Sequence, residues 1–295
     1  MGAPMLWWTL RQLRSKNAPT RARAIVKLSG AKRPQAVDAL IEILGAFREP
    51  HEVRAAAADA LGGIGDRRAL DPLMRALLDG MDGRITSSAG TALLRMRDER
   101  SVPALVKAFA HVDDEVNRTA AAVLVSMGGP RVREELLRAL ESPGPGVRVL
   151  AAIALGMMGE AQGAEFLVAA VLDPGTYIEV YALRDALAEI QDLRAVEPLG
   201  ALLRDDDANV RSRAATALGG LKGPRTVELL VVALRDEDVW VRSAAAAALG
   251  EIRDARAVEP LAAALGNTIE AEKALERIGG PEAELALSKR RARQE

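Results

Sequence analysis

The sequence predicts an all-α chain, a solenoid of about nine stacked helix pairs, and three observations carry that expectation. A leucine recurs at Leu28, Leu61, Leu93, Leu124, Leu155, Leu187, Leu218, Leu249 and Leu275, at spacings of 33, 32, 31, 31, 32, 31, 31 and 26 residues. A fixed period near 31 residues marks a stacked repeat. Four residues before that leucine stands alanine in eight of the nine units, with Leu183 the exception. Hydrophobic residues make up 49% of the chain but aromatics only 3%, so the core has to be built from Ala, Leu, Val and Ile. Small faces of that kind let helices approach closely in layers.

The unit from Val241 to Leu265 shows why each repeat is a helix pair. Val241, Ala245, Leu249 and Ile252 fall at offsets 0, 4, 8 and 11, the buried stripe of an amphipathic helix. Gly250 weakens that helix end, and Asp254 suits a cap or turn. In Ala257-Val258-Glu259-Pro260-Leu261 the proline is tolerable because it falls in a first helical turn. Leu261, Ala264 and Leu265 continue this helix, so the unit is two antiparallel helices.

The other units follow in order. The first position reads Val53, Ile85, Val116, Val147, Val210 and Val241, with Thr20, Glu179 and Asn267 as departures. Offset 11 reads Ile64, Met96, Met127, Met158, Ile190, Leu221, Ile252 and Ile278. Leu13 matches Leu140, Leu172, Leu203 and Leu234, which makes residues 5–14 the first helix of the first repeat. One unbroken array over 1–295 results, with units at roughly 5–31, 32–65, 66–97, 98–128, 129–159, 160–191, 192–222, 223–253 and 254–295.

Composition excludes several classes of function. A net charge of −1 argues against a strongly electrostatic partner such as nucleic acid. With no cysteine there is no disulfide, zinc-thiolate site or cysteine nucleophile. No apolar run approaches the roughly 18 residues needed to span a bilayer. The opening Met1-Gly2-Ala3-Pro4-Met5-Leu6-Trp7-Trp8 lacks the length and cleavage site of a secretory signal, and Leu6 stands where a myristoylation signal has Ser or Thr. A cytoplasmic protein with no membrane partner is the expectation.

Asp207-Ala208-Asn209-Val210-Arg211 through Leu218-Gly219, and Val241-Arg242 through Ala257-Val258-Glu259-Pro260-Leu261, resemble HEAT repeats of the phycobilisome-lyase-like class over essentially the whole chain. The resemblance implies a right-handed α-solenoid whose second helices line a concave face. The class includes phycobilin lyase subunits, deoxyhypusine hydroxylase and many adaptor proteins.

Each enzymatic reading meets an obstacle in the residues. Deoxyhypusine hydroxylase binds di-iron through several His-Glu pairs, whereas here His51-Glu52 stands alone and His111 is followed by Val112. Two repeats apart, at roughly 10 Å per helix layer, the two histidines would lie about 20 Å from one another, too far to share a metal. A phycobilin lyase works as a pair of chains, and few aromatics are available here to stack a tetrapyrrole. No cofactor or metal is expected, and the chain is read as non-enzymatic, with a phycobilin-lyase-like enzyme subunit as the alternative. Gly62-Gly63-Ile64-Gly65 and Gly128-Gly129-Pro130 sit at helix ends and read as caps and turns, not phosphate loops.

Two charge patterns read as scaffolding. Arg21, Arg54, Arg148, Arg211 and Arg242 follow the first position, and Asp82, Asp113, Asp207 and Asp238 precede it by three. Their fixed recurrence suits an Asp–Arg ladder between repeats better than a strip for an anionic polymer. A DNA-binding channel would need basic and aromatic residues, yet its presumed positions show Asp59, Asp185 and Glu189 beside Arg118 and Lys273. The basic tail Lys289-Arg290-Arg291-Ala292-Arg293 suits a helix C-terminus.

Function in a repeat protein should show where outward positions depart from the polar norm. At offsets 2, 6 and 10 of the second helices, the eighth repeat has Ser243, Ala247 and Glu251, while the fifth has Val149, Ile153 and Met157. The sixth offers Tyr181, Asp185 and Glu189, and the fourth Arg118, Ala122 and Ser126. An aliphatic centre with a tyrosine and flanking charges resembles a hot spot with a polar rim. The expected partner site is therefore Val149, Ile153, Met157 and Tyr181 as anchors, with Arg118, Asp185 and Glu189 setting register. Self-association is one alternative. Another is burial of the apolar helix by superhelical overlap or under the Asp173-Pro174-Gly175-Thr176-Tyr177 loop. Thr86-Ser87-Ser88 and Gly90 are poor helix formers and mark a candidate hinge. Trp240 suits a cap between repeats, and Trp7 and Trp8 suit a terminal cap or a membrane or partner contact.

Overall fold

A computed structural model describes residues 3–30, 33–80, 82–172 and 180–292. Among the described residues the chain forms nineteen α-helices that alternate as first and second members of pairs. It divides into two compact units, Met1–Ala151 and Ala152–Glu295, with the division inside the helix Pro145–Met157. In a repeat stack each layer packs mainly on its neighbours, so a long array readily divides into compact units.

In the first unit the pairs are Ala3–Gln12 with Ala18–Leu28, Pro34–Gly45 with His51–Ile64, Leu70–Leu78 with Gly83–Met96, and Val102–Lys107 with Asp114–Met127. In the second they are Ala164–Leu172 with Val180–Ile190, Val196–Leu202 with Ala208–Leu218, Pro224–Ala233 with Val239–Ile252, and Val258–Ala264 with Glu270–Ile278. Pro281–Arg291 follows, and Lys289, Arg290 and Arg291 form its last turn, where the helix dipole favours cations.

The two sequence stripes are the core. All nine repeat leucines, and all nine residues four positions before them, have 0% exposure. Second helices stack on second helices, His51–Ile64 on Gly83–Met96 and Val239–Ile252 on Glu270–Ile278. Close stacking is built from residues without bulk. A Cβ on Gly62 would lie 2.5 Å from Ala92 Cα, and one on Gly250 would lie 2.9 Å from Ala274 Cα. Both glycines sit inside their helices, so their role is close approach. Gly65, at φ +70°, is the helix cap. The candidate hinge carries the same feature, since Gly90 lies under Thr119 of the next repeat inside the continuous helix Gly83–Met96.

Aspartates start the helices. Asp82, Asp113, Asp207 and Asp238 each accept from a backbone N–H two residues on. They are therefore caps, and the arginine ladder uses other acids. Arg21 pairs with Glu49 at 2.7 Å, Arg54 with Asp79 at 3.3 Å and Arg211 with Asp236 at 2.9 Å, each reaching the loop of the next repeat. Arg148 and Arg242 donate to loop carbonyls of their own repeat, Ser142 and Asp236. A second aspartate set, Asp66, Asp98, Asp192 and Asp254, caps the short turns that lead into first helices, and each also binds the arginine two residues on.

Candidate functional site

The second unit carries a groove of about 480 Å³ across four successive second helices. Ser212 and Thr216 of Ala208–Leu218, and Ser243, Ala244 and Ala247 of Val239–Ile252, form its floor. Apart from Ala244, at offset 3, these are the outward offsets 2 and 6, occupied here by small side chains that leave a channel above them. Tyr181 and Trp240 stand at its edges, 59% and 74% exposed.

Local structure fixes both aromatics. Asp238 accepts from the N–H groups of Trp240 and Val241 and so locks the first turn that carries the indole. Tyr181 lies under the Arg184 guanidinium at 5.3 Å from the ring centroid, and Arg184 is held by Asp185 at 2.6 Å. Charges at the groove are paired: Arg277 with Glu251 at 2.8 Å, and Lys273 with Glu270 at 2.8 Å. Ser243 and Thr268 share a hydrogen bond of 2.8 Å. The groove thus offers two wet aromatic edges, an apolar-to-hydroxyl floor and compensated charge. Such a surface suits an extended polypeptide better than a polyanion.

The expected patch is corrected at its centre. Val149 and Ile153 are 6% and 8% exposed and so present no surface to a partner. A helix apolar on every side gains most by enclosure on every side. The loop at 173–177, offered as a possible cover, lies outside the described residues. Met157, at 40%, is exposed, as are Asp185, Glu189 and Arg118, whose guanidinium is 3.2 Å from Glu115. Of the seven expected residues, Tyr181 lines the groove.

Trp240 is the residue that inspection of offsets 2, 6 and 10 does not reach. The position before the first of each stripe holds Pro19, Glu52, Arg84, Glu115, Gly146, Ile178, Asn209 and Gly266 elsewhere, and Trp240 is the one aromatic among them. It is 74% exposed and lines the groove with residues of neighbouring repeats.

The histidines serve local structure. His51 Nδ1 is 2.6 Å from Asp82 Oδ2, and His111 Nδ1 accepts from the Asp113 N–H at 3.1 Å. Among the described residues, no three His, Asp or Glu side chains are grouped to hold a metal ion. No helix of the described residues is long and apolar enough to cross a membrane.

Among solved structures, the karyopherin Kap121p bound to the SUMO protease Ulp1p aligns with a TM-score of 0.60 at 14% identity, over 94% of this chain and 38% of that one. Human deoxyhypusine hydroxylase in complex with glycerol aligns with a TM-score of 0.39 at 22% identity, over 84% of this chain and 96% of that one. The CpcE–CpcF complex of phycocyanin lyase from Nostoc sp. PCC7120 gives 0.33 at 23%, over 96% of this chain and 92% of that one. No curated protein sequence matches the chain. Identities this low speak to fold alone. The model for HEAT repeats matches residues 8–95, 102–188, 196–276 and 227–291. With its helix pairs, enclosed leucine stripe and these matches across most of its length, the chain belongs to the HEAT-repeat family.

Proposed function

We propose that this chain is a non-catalytic scaffold that holds an extended segment of a partner protein in the groove between Tyr181 and Trp240. The observation that carries the reading is the pair of exposed aromatics, fixed by a helix cap and a cation–π contact, at the edges of a floor of small residues. Trp, Tyr and Arg are the residues over-represented among interface hot spots. Trp240 is three-quarters exposed, so a partner that covers its ring removes a large apolar area from water. In Kap121p the same fold carries a bound protein.

Capture from the native host with wild type and Ala247→Arg tests the reading. Ala247 is part-exposed on the groove floor, so arginine fills the channel while the stack stays folded. The expected result is a polypeptide retained by wild type and lost from the variant. The purified pair then binds one to one and loses about tenfold or more in affinity on Trp240→Ala. Identical capture by both proteins, with circular dichroism showing both folded, overturns the groove as the site.

A further inference from the structure

The first unit holds a surface of different chemistry, and we infer that it binds anionic membrane surfaces peripherally, through Trp7, Trp8 and the cations around them. The inference is independent of the groove. Residues 1–37 contain eight Lys and Arg and no Asp or Glu, in a chain whose overall net charge is −1. The helix Ala3–Gln12 turns Thr9 and, just beyond its end, Leu13 into the stack, and both are buried. Trp7 and Trp8 are 62% and 51% exposed, where a solenoid helix ordinarily carries polar side chains.

Cations surround the two indoles. Arg11 lies 5.7 Å from the Trp7 ring centroid, and Lys27 of the next helix lies 5.4 Å from that of Trp8. Arg14, Lys16 and Arg23 are exposed as well. Among the described residues, none of these five cations is paired with a carboxylate, whereas Arg21, turned inward, is paired with Glu49. Trp7, Arg11 and Arg14 also line a groove against Pro34–Gly45, whose acids are Glu42 and Glu49.

This combination matches the headgroup region of a bilayer. Indole rings settle at that depth with their N–H groups among polar headgroups, and Lys and Arg extend from their aliphatic stems to the phosphates. Clustered Lys and Arg are drawn to the negative potential of a phosphatidylserine-containing leaflet. The helix has ten residues, far short of a span, so the mode is attachment at the interface. The expectation of no membrane contact rested on the absence of a spanning run, which this mode does not need.

The test is sedimentation of the full chain with vesicles of phosphatidylcholine and phosphatidylserine in roughly a two-to-one ratio, against pure phosphatidylcholine. The expected result is a partition coefficient about tenfold or more higher on the anionic vesicles, falling steeply at about 0.5 M NaCl. Arg11→Gln with Arg14→Gln lowers it by about tenfold. Trp7→Ser with Trp8→Ser lowers it as well. Because the helix can unfold in those variants, Trp240→Phe supplies a second reading: it leaves Trp7 and Trp8 as the only tryptophans of the sequence, and brominated lipid should quench them. Equal binding to both vesicles, no binding at low salt, or binding with both indoles unquenched overturns the inference. So does a lipid-free dimer, or a complex with polyglutamate, that disappears in the arginine variant while vesicles stay unbound.

Discussion

Arg211 binds Asp236 through two parallel hydrogen bonds, Nε to Oδ2 and Nη2 to Oδ1, each at 2.9 Å. Its remaining nitrogen donates to the carbonyls of Asp205 and Asp206, at 3.0 and 3.2 Å. One guanidinium therefore ties the loop of its own repeat to the loop of the next, with both side chains almost wholly enclosed, at 9% and 12%. Geometry of this kind is specific to arginine, because a planar fork matches a carboxylate and an ammonium does not. Arg211→Ala leaves Asp236 without its arginine and two carbonyls unbonded, and should cost roughly 2–4 kcal/mol in urea denaturation. Arg211→Lys should restore less than half of that loss. Full restoration by lysine would show that charge alone holds the loops.

Ile153 gives the sharpest contrast between the expected surface and the observed core. At 8% exposure it lies inside, beside Leu155 at 0%. Ile153→Asp should destabilise by about 3 kcal/mol or more, since it buries a carboxylate without a partner. Leu155→Ala should cost roughly 2–5 kcal/mol through its cavity. Melting temperatures of the two variants should fall together. A stable Ile153→Asp protein would return that side chain to the surface.

How far these features were legible depends on whether one residue pattern has one physical meaning. The Leu155 and Ala151 stripes were readable because a small or aliphatic residue at a fixed helical offset, repeated nine times, has no use except packing. Asp207 was ambiguous, since an aspartate three residues before a helix position can cap or can pair, and here it caps Asn209. The helix Pro145–Met157 was ambiguous for a related reason: apolar residues on every face fit an enclosed helix and an uncovered one equally. Tyr181 was found by asking which outward positions break the polar rule, and Trp240 needed the same question asked one residue before the stripe. Gly250 looked like a weak helix end, because its contact with Ala274 comes from a layer that one helix cannot reveal.

That contact can be tested directly. Gly250→Ala places a methyl 2.9 Å from Ala274 Cα and 3.0 Å from its Cβ, so the two helices have to separate. The helix itself would gain from alanine, by up to about 1 kcal/mol. Overpacking costs typically 1–3 kcal/mol, so a net loss of roughly 1–2 kcal/mol is expected. Gly250→Ala with Ala274→Gly removes the contact to Cβ and keeps the one to Cα, so partial recovery in the double variant is expected and measures the coupling between the two side chains. A stabilised single variant would mean that the layers have slack.

The capping aspartates set the response to acid. Hydrogen bonds from Arg100 and Arg256 hold the Asp98 and Asp254 carboxyls down to about 2, from an ordinary 3.8. Asp192 is lowered by Arg194 in the same way. A carboxyl that binds its proton less tightly when folded contributes stability above its unfolded value and loses it as pH falls through the folded one. Stability should therefore decline between about pH 4 and about pH 2. The arginines are largely exposed, so each pair gives a small effect and a double variant is the better probe. Asn is as good a cap as Asp, so Asp192→Asn with Asp254→Asn keeps the turns and removes two titrating groups. The gap in urea midpoint between wild type and this variant should stay constant above about pH 4 and close toward pH 2. A gap that persists unchanged at the acid end would place the acid-labile contacts elsewhere.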